Sequence, residues 1–187
     1  LIEAGMEHTL VHLGLGHRDD LRERWLQGVG LPVEAGLRAT FEPLGLDLAE
    51  VWTIYRAFDW QGHEHLLRPF PGMDALVQTL QALGVKQAIA SSKRSIPLRR
   101  QLAAFGWSDL FDPLVTPDEV REGKPHPESL ERCLEAHGIL PEEAIMVGDT
   151  PFDLEMAQRA GVPAIAVSHG FYAREALEAW GPMAHAP

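Results

Sequence analysis

Apolar positions over the first third of the chain recur at helical spacing. Ile2, Ala4, Met6, Leu10, Val11 and Leu13 mark one amphipathic stretch, and Leu21, Trp25 and Leu26 continue it after the Gly14–Gly16 break. Pro32 suits the first position of a further helix whose apolar residues include Val33, Leu37 and Phe41, ending near Gly45. Asp47 is placed to cap a helix bearing Leu48, Val51, Trp52, Ile54, Tyr55 and Phe58. Residues 1–66 therefore read as a helical bundle without strands. From Phe70 onward the pattern changes. Amphipathic segments ending at Gly84, Gly106, Gly138 and Gly161 alternate with short apolar runs at 85–90, 113–115, 144–147 and 163–167. Such runs fit strands buried on both faces, and their alternation with helices predicts a parallel sheet with helices on both of its faces. The expected fold class is α/β, with a Rossmann-like parallel core at 67–187 and a small all-helical domain at 1–66. The Pro69–Pro71–Gly72 stretch is the expected hinge.

Composition narrows the chemistry. The 187 residues carry a formal charge of −11, a poor match to a nucleic-acid backbone or an anionic membrane surface. No apolar run approaches the about 20 residues a membrane helix needs, and no signal-peptide layout opens the chain. The single cysteine, Cys133, excludes an internal disulfide and a cysteine-based zinc cluster. These features predict a cytoplasmic protein, monomer or homodimer, with no nucleic-acid or membrane partner. Asn is absent, and lysine occurs only at 86, 93 and 124, which makes each lysine conspicuous.

In a parallel α/β sheet, ligands bind beyond the carboxyl ends of the strands. Three segments there are polar. Gly148-Asp149-Thr150-Pro151-Phe152-Asp153 places one carboxylate at a strand tip and another in the first turn of the next helix, a hard-oxygen pair suited to Mg²⁺. The plain alternative is a helix cap with a favourable helix-start charge. Ser91-Ser92-Lys93 offers hydroxyls and backbone N–H groups to an anionic oxygen, or an ordinary cap. Gly123-Lys124-Pro125-His126-Pro127 holds a lysine between stiffening prolines, suited to neutralising phosphate or carboxylate oxygens, or simply surface-exposed. His8 and His12 share a helical face and His63 lies close to His65, but neither pair has a convincing third ligand, and both read as surface histidines. Trp25, Trp52 and Trp60 read as packing of the helical domain.

Taken in order, Ser91, Gly123-Lys124-Pro125 and Gly148 to Asp153 resemble the haloacid dehalogenase-like hydrolase superfamily, and within it the phosphoglycolate-phosphatase-like branch. The resemblance extends over essentially the whole chain, with Pro69 to Gly84 similar to the start of the family's core and Arg24 to Leu37 similar to its helical cap. It implies a phosphoric monoester hydrolase that acts with Mg²⁺ on a small phosphorylated metabolite, through an aspartyl-phosphate intermediate. Ser91 and Lys124 would be catalytic; Ser91, Ser92 and Lys124 would hold phosphate; Asp149 and Asp153 would hold the metal. The cap would close over the site and select the substrate.

One family element is missing from this sequence: the strand ending in Asp-x-Asp-Gly-Thr, whose first aspartate attacks phosphorus. Asp19-Asp20 follows Gly16-His17 rather than an apolar run, and Asp59 lies in a helical pattern. The expectation is a core without its first strand, that segment lying upstream in the natural polypeptide. A phosphomutase of the β-phosphoglucomutase type and a pyrophosphatase share the three motifs. If the nucleophile is truly absent, the chain is a non-catalytic phosphate-binding remnant. A phosphonatase is disfavoured because residues 1–66 contain no lysine for a Schiff base.

Overall fold

The computed structural model describes residues 1–186 and divides into two compact units. The first comprises Leu1–Val29 and Val33–Arg68; the second comprises Gly30–Pro32 and the chain from Pro69 onward. The tripeptide Gly30–Pro32 thus groups with the second unit, although the sequence pattern had placed it inside the helical stretch.

The first unit holds four α-helices among the described residues: α1 (Ile2–His12), α2 (Asp19–Leu26), α3 (Val33–Phe41) and α4 (Leu48–Ala57). Asp47 caps α4 by accepting the Ala49 N–H at 2.9 Å, as its position ahead of the apolar run predicts. The helices bury Met6, Leu10, Leu21, Trp25, Leu37, Phe41, Val51 and Tyr55 in one core, with Trp52 and Trp60 packed against it. The His8 and His12 rings meet at a centroid distance of 4.0 Å, tilted by 36°.

The second unit alternates helices with short parallel strands: α5 (Met73–Ala82), β1 (Ile89–Ala90), α6 (Ser95–Ala104), β2 (Leu114–Val115), α7 (Glu128–His137), β3 (Met146–Gly148), α8 (Pro151–Ala160), β4 (Ala164–Val167), α9 (Arg174–Glu178) and β5 (Ala184–Ala186). Gly84, Gly106, Gly138 and Gly161 all adopt positive φ (73, 73, 63 and 71°) at the helix ends, as the sequence predicts. All strand pairs are parallel. The strands are shorter than the apolar runs that announce them, and β5 has no counterpart in the sequence pattern.

The strands do not form one sheet. β1 pairs with β2, in register Ile89 with Leu114, while β3, β4 and β5 form a separate three-stranded sheet in that order. The buried core divides the same way. Val77, Leu98, Leu102 and Trp107 form one cluster beside β1 and β2, and Leu130, Leu134, Leu154, Met156, Ala157, Val162, Ala164, Ala166 and Leu177 form another around β3 to β5. Helix α7 contacts β1, β2 and α8, and so joins the two halves. The edge of β1 away from β2 and the edge of β3 away from β4 carry no strand partner among the described residues. Val147 in β3 is 56% exposed, unusual for an apolar residue of a parallel strand.

Candidate active site

Asp149 and Asp153 are positioned by one local device. β3 ends at Gly148, and α8 opens with Thr150 as its cap and Pro151 in its first turn. The Thr150 hydroxyl accepts the Asp153 N–H at 3.2 Å, while Asp153 Oδ2 accepts the Thr150 N–H at 3.1 Å and its hydroxyl at 2.8 Å. This reciprocal capping box fixes the Asp153 rotamer. Gly148 is required by close approach: a Cβ there would stand 2.3 Å from the Asp153 Cβ.

Lys124, 29 residues earlier, completes the arrangement. Its Nζ donates to Asp153 Oδ1 at 2.5 Å, with the two side chains only 10% and 6% exposed. The contact is a charge-assisted hydrogen bond in a dry setting. Asp153 therefore uses three of its roughly four acceptor positions within the protein. Asp149 stands beside this pair. Burial pushes its carboxyl pKa above the usual range and the negative charge of Asp153 adds to that, while Lys124 and His169 oppose it. The carboxylate of Asp149 lies against the loop after β4, where a Cβ at Gly170 would meet Asp149 Oδ2 at 2.3 Å. Tyr172, further along that loop, has its phenol pushed up to about 12 by burial and then by Asp149 and Asp153. Burial likewise pushes the Cys133 thiol up to about 11, against the nearby charge of Lys124.

Ser91 and Ser92 follow β1. The Ser91 N–H continues the ladder to Val115 O at 2.9 Å, and its Oγ accepts the Lys93 N–H at 3.0 Å, which leaves the hydroxyl proton available to donate. The Ser92 hydroxyl donates instead to Gly30 O at 2.6 Å, so only its backbone N–H can serve an anion. Neither serine caps α6. The Ser95 N–H and hydroxyl both donate to Asp118 Oδ2, at 2.9 and 2.5 Å, and Arg94 pairs with the same carboxylate.

The three polar loops meet at the tripeptide Gly30–Pro32. Gly30 receives the Ser92 hydroxyl, and with φ of +108° its α-carbon lies so close to Thr150 that a Cβ would stand 2.7 Å from Thr150 Oγ1. Pro32 lies against Gly123, where a Cβ would stand 2.8 Å from Pro32 Cγ. The structure thus draws Lys124, Asp149 and Asp153 into one cluster, and links the Ser91-Ser92 loop to it through Gly30. Gly30, His169, Gly170 and Tyr172 had no signal in hydrophobic periodicity. Only a count of polar residues beyond the last apolar run would have pointed to the 168–172 loop.

Oxygen donors of this kind suit a hard divalent cation. No group of three or more His, Cys, Asp or Glu side chains is arranged to hold a metal among the described residues. The donor set fits Mg²⁺, which keeps several waters and takes few protein carboxylates. Asp149 is the carboxylate free of the lysine pair. The paired histidines of the first unit form no such cluster.

The parallel α/β unit thus holds Asp149 and Asp153 just beyond the end of one strand, beside a buried loop lysine. The chain belongs to the haloacid dehalogenase-like hydrolase family, whose model matches residues 1–167. It is 33% identical over 183 residues to pyrophosphatase PpaX of Bacillus mycoides, a match covering 97% of this chain and 82% of that protein. It is 37% identical over 133 residues to pyrophosphatase PpaX of Bacillus cereus, covering 71% of this chain and 62% of the relative's length. A predicted phosphoglycolate phosphatase from Haemophilus somnus shares the fold, with a TM-score of 0.84 at 20% identity over 98% of this chain and 85% of that one.

Proposed function

We propose that this chain is the site-bearing part of a Mg²⁺-dependent phosphatase acting on a small phosphorylated compound. The observation that carries the reading is the buried Lys124–Asp153 contact of 2.5 Å beside Asp149, at the carboxyl end of a parallel strand. Inorganic pyrophosphate is the first substrate to try, because the curated relatives are named pyrophosphatases. Phosphoglycolate is the second, on the resemblance of the motifs. Residues 1–66 act in this reading as the cap that admits substrate, and residues 67–187 as the catalytic core.

Each residue then has a role set by its surroundings. Lys124, held by Asp153, presents fixed positive charge to the attacking and phosphoryl oxygens. Ser91 donates its hydroxyl proton to a phosphoryl oxygen, and the Ser92 N–H adds a second donor. Asp149 and Asp153 would hold the cation, Asp149 being the carboxylate outside the lysine pair and Asp153 being already bonded to Lys124 and Thr150. Bound Mg²⁺ supplies charge neutralisation for the transferring phosphoryl group. The outer edges of β1 and β3 carry no strand partner among the described residues, and in this reading the family's attacking aspartate would come from a segment outside this sequence. In this scheme that carboxylate would form a bond to phosphorus as the leaving oxygen departs with a proton, and water would then attack phosphorus, freeing phosphate and restoring the carboxylate.

The test uses the natural polypeptide, its intact mass measured first for residues upstream of Leu1. Phosphate release from pyrophosphate and phosphoglycolate is followed with Mg²⁺ and with chelator. Release should require Mg²⁺ and vanish in Asp149→Asn with the far-UV spectrum unchanged. Wild-type rates in that variant would refute the metal assignment, and no release from a broad phosphoester panel would refute the phosphatase reading.

A further inference from the structure

Lys124 sits in a loop, outside helix and strand, yet its ammonium keeps a nearly dry 2.5 Å contact. A flexible four-carbon stem does not hold that position unless its backbone is fixed. The fixing group is visible one turn away. Glu128, the first residue of α7, turns its carboxylate back over the loop, where Oε2 accepts the N–H of Arg121 at 2.9 Å and of Glu122 at 3.1 Å. Its Oε1 accepts Arg132 Nε at 3.1 Å and Nη2 at 2.8 Å from the next turn of the helix. These four bonds fill the carboxylate.

The loop is closed on its other side as well. The His126 N–H donates to Gly123 O at 3.0 Å, and the Glu128 N–H donates to His126 Nδ1 at 3.3 Å. Lys124 therefore lies between two ties, both ending at residue 128. Gly123 lies close against Pro32, where a Cβ would stand 2.8 Å from Cγ of that ring. The backbone N–H of Glu122, then the Arg132 guanidinium, push the Glu128 carboxyl pKa down to about 2, so the tie is charged at any working pH.

We infer that Glu128 is a positioning residue for Lys124: by clamping the Arg121 and Glu122 amides it holds the Lys124 ammonium on Asp153. The catalytic meaning of this tie rests on the phosphatase reading; the tie itself does not.

The chain has only three lysines, which makes an amine footprint decisive. The folded chain is pulsed with acetic anhydride, and modification of Lys86, Lys93 and Lys124 is read by peptide mass spectrometry. In Glu128→Ala, Lys124 modification should rise about tenfold while Lys86 and Lys93 stay at wild-type rates. Arg132→Ala, which leaves the loop amides bonded, should keep Lys124 protected. If Glu128→Ala raises all three lysines together, the fold is lost and Glu128→Gln decides. Its single acceptor oxygen should give a rise of about threefold confined to Lys124. Unchanged Lys124 protection in Glu128→Ala overturns the inference. So does an Arg132→Ala result equal to it, or no selective rise in Glu128→Gln after global loss. Because the footprint needs no substrate, it stands whether or not the protein releases phosphate.

Discussion

Replacing Lys124 by Met keeps the apolar stem and removes only the charge. Asp153 is then left 6% exposed, with Thr150 still donating twice to Oδ2 but with the lysine gone from Oδ1. Removing one partner of a buried ion pair costs about 3–5 kcal/mol. The surviving Thr150 bonds place this case near the low end, at about 3 kcal/mol. For a chain of this size that corresponds to a fall of about 6–12 °C in Tm. The cost is that of an unpaired charge, so neutralising Asp153 should recover part of it. The double variant Lys124→Met, Asp153→Asn should be more stable than the sum of the single effects by about 2 kcal/mol. Urea unfolding in chelator, followed by far-UV circular dichroism for all four proteins, measures both quantities. A loss below about 1 kcal/mol for Lys124→Met, or strictly additive single effects, would show that the pair is not the buried electrostatic unit described here.

Two glycines and two acids give further tests. Gly148→Ala drives a Cβ to 2.3 Å from the Cβ of Asp153, which cannot swing away, so it should lose about 1–3 kcal/mol and loosen the Lys124 contact. Gly170→Ala brings a Cβ to 2.3 Å from Asp149 Oδ2, which can rotate, and to 3.0 Å from its Cβ and Cγ, which need only a small adjustment; stability should fall less than in Gly148→Ala while Mg²⁺ affinity falls, as read by calorimetric titration. Equal stability loss in both would contradict this distinction. The carboxyls of Glu128 and Asp118 are both held down to about 2, the first chiefly by the Glu122 N–H and the second by the Ser95 hydroxyl. Their folded values lie below their unfolded ones, so their stabilisation is complete above about pH 4.5 and is lost as pH falls toward 2. Glu128→Gln and Asp118→Asn should each flatten the fall in Tm over that window, and an unchanged acid slope would contradict the assignment.

What could be read from the chain alone was local. The Asp47 cap, the positive-φ glycines at helix ends and the switch from helical spacing to alternating runs follow from hydrogen-bonding needs within a few residues, so they leave a periodic trace. The pairing of Asp149 with Asp153 was legible for the same reason, because a strand tip and a first helical turn lie four residues apart. Several features left no such trace. Asp153 turns to Lys124 across 29 residues, and the Ser92 hydroxyl reaches Gly30 across 62. Glu128 looks in sequence like any acidic residue favouring a helix start, and only the folded loop gives it two amides to hold. The break between β1 and β3 has no trace in the four apolar runs themselves, although the missing first strand of the family led to the expectation of an incomplete core. Each run announces a strand, but only the three-dimensional arrangement decides which strands pair. Burial periodicity belongs to single elements. Pairing, ion-pair partners and loop ties belong to residues that sequence separation leaves unrelated until the chain has closed on itself.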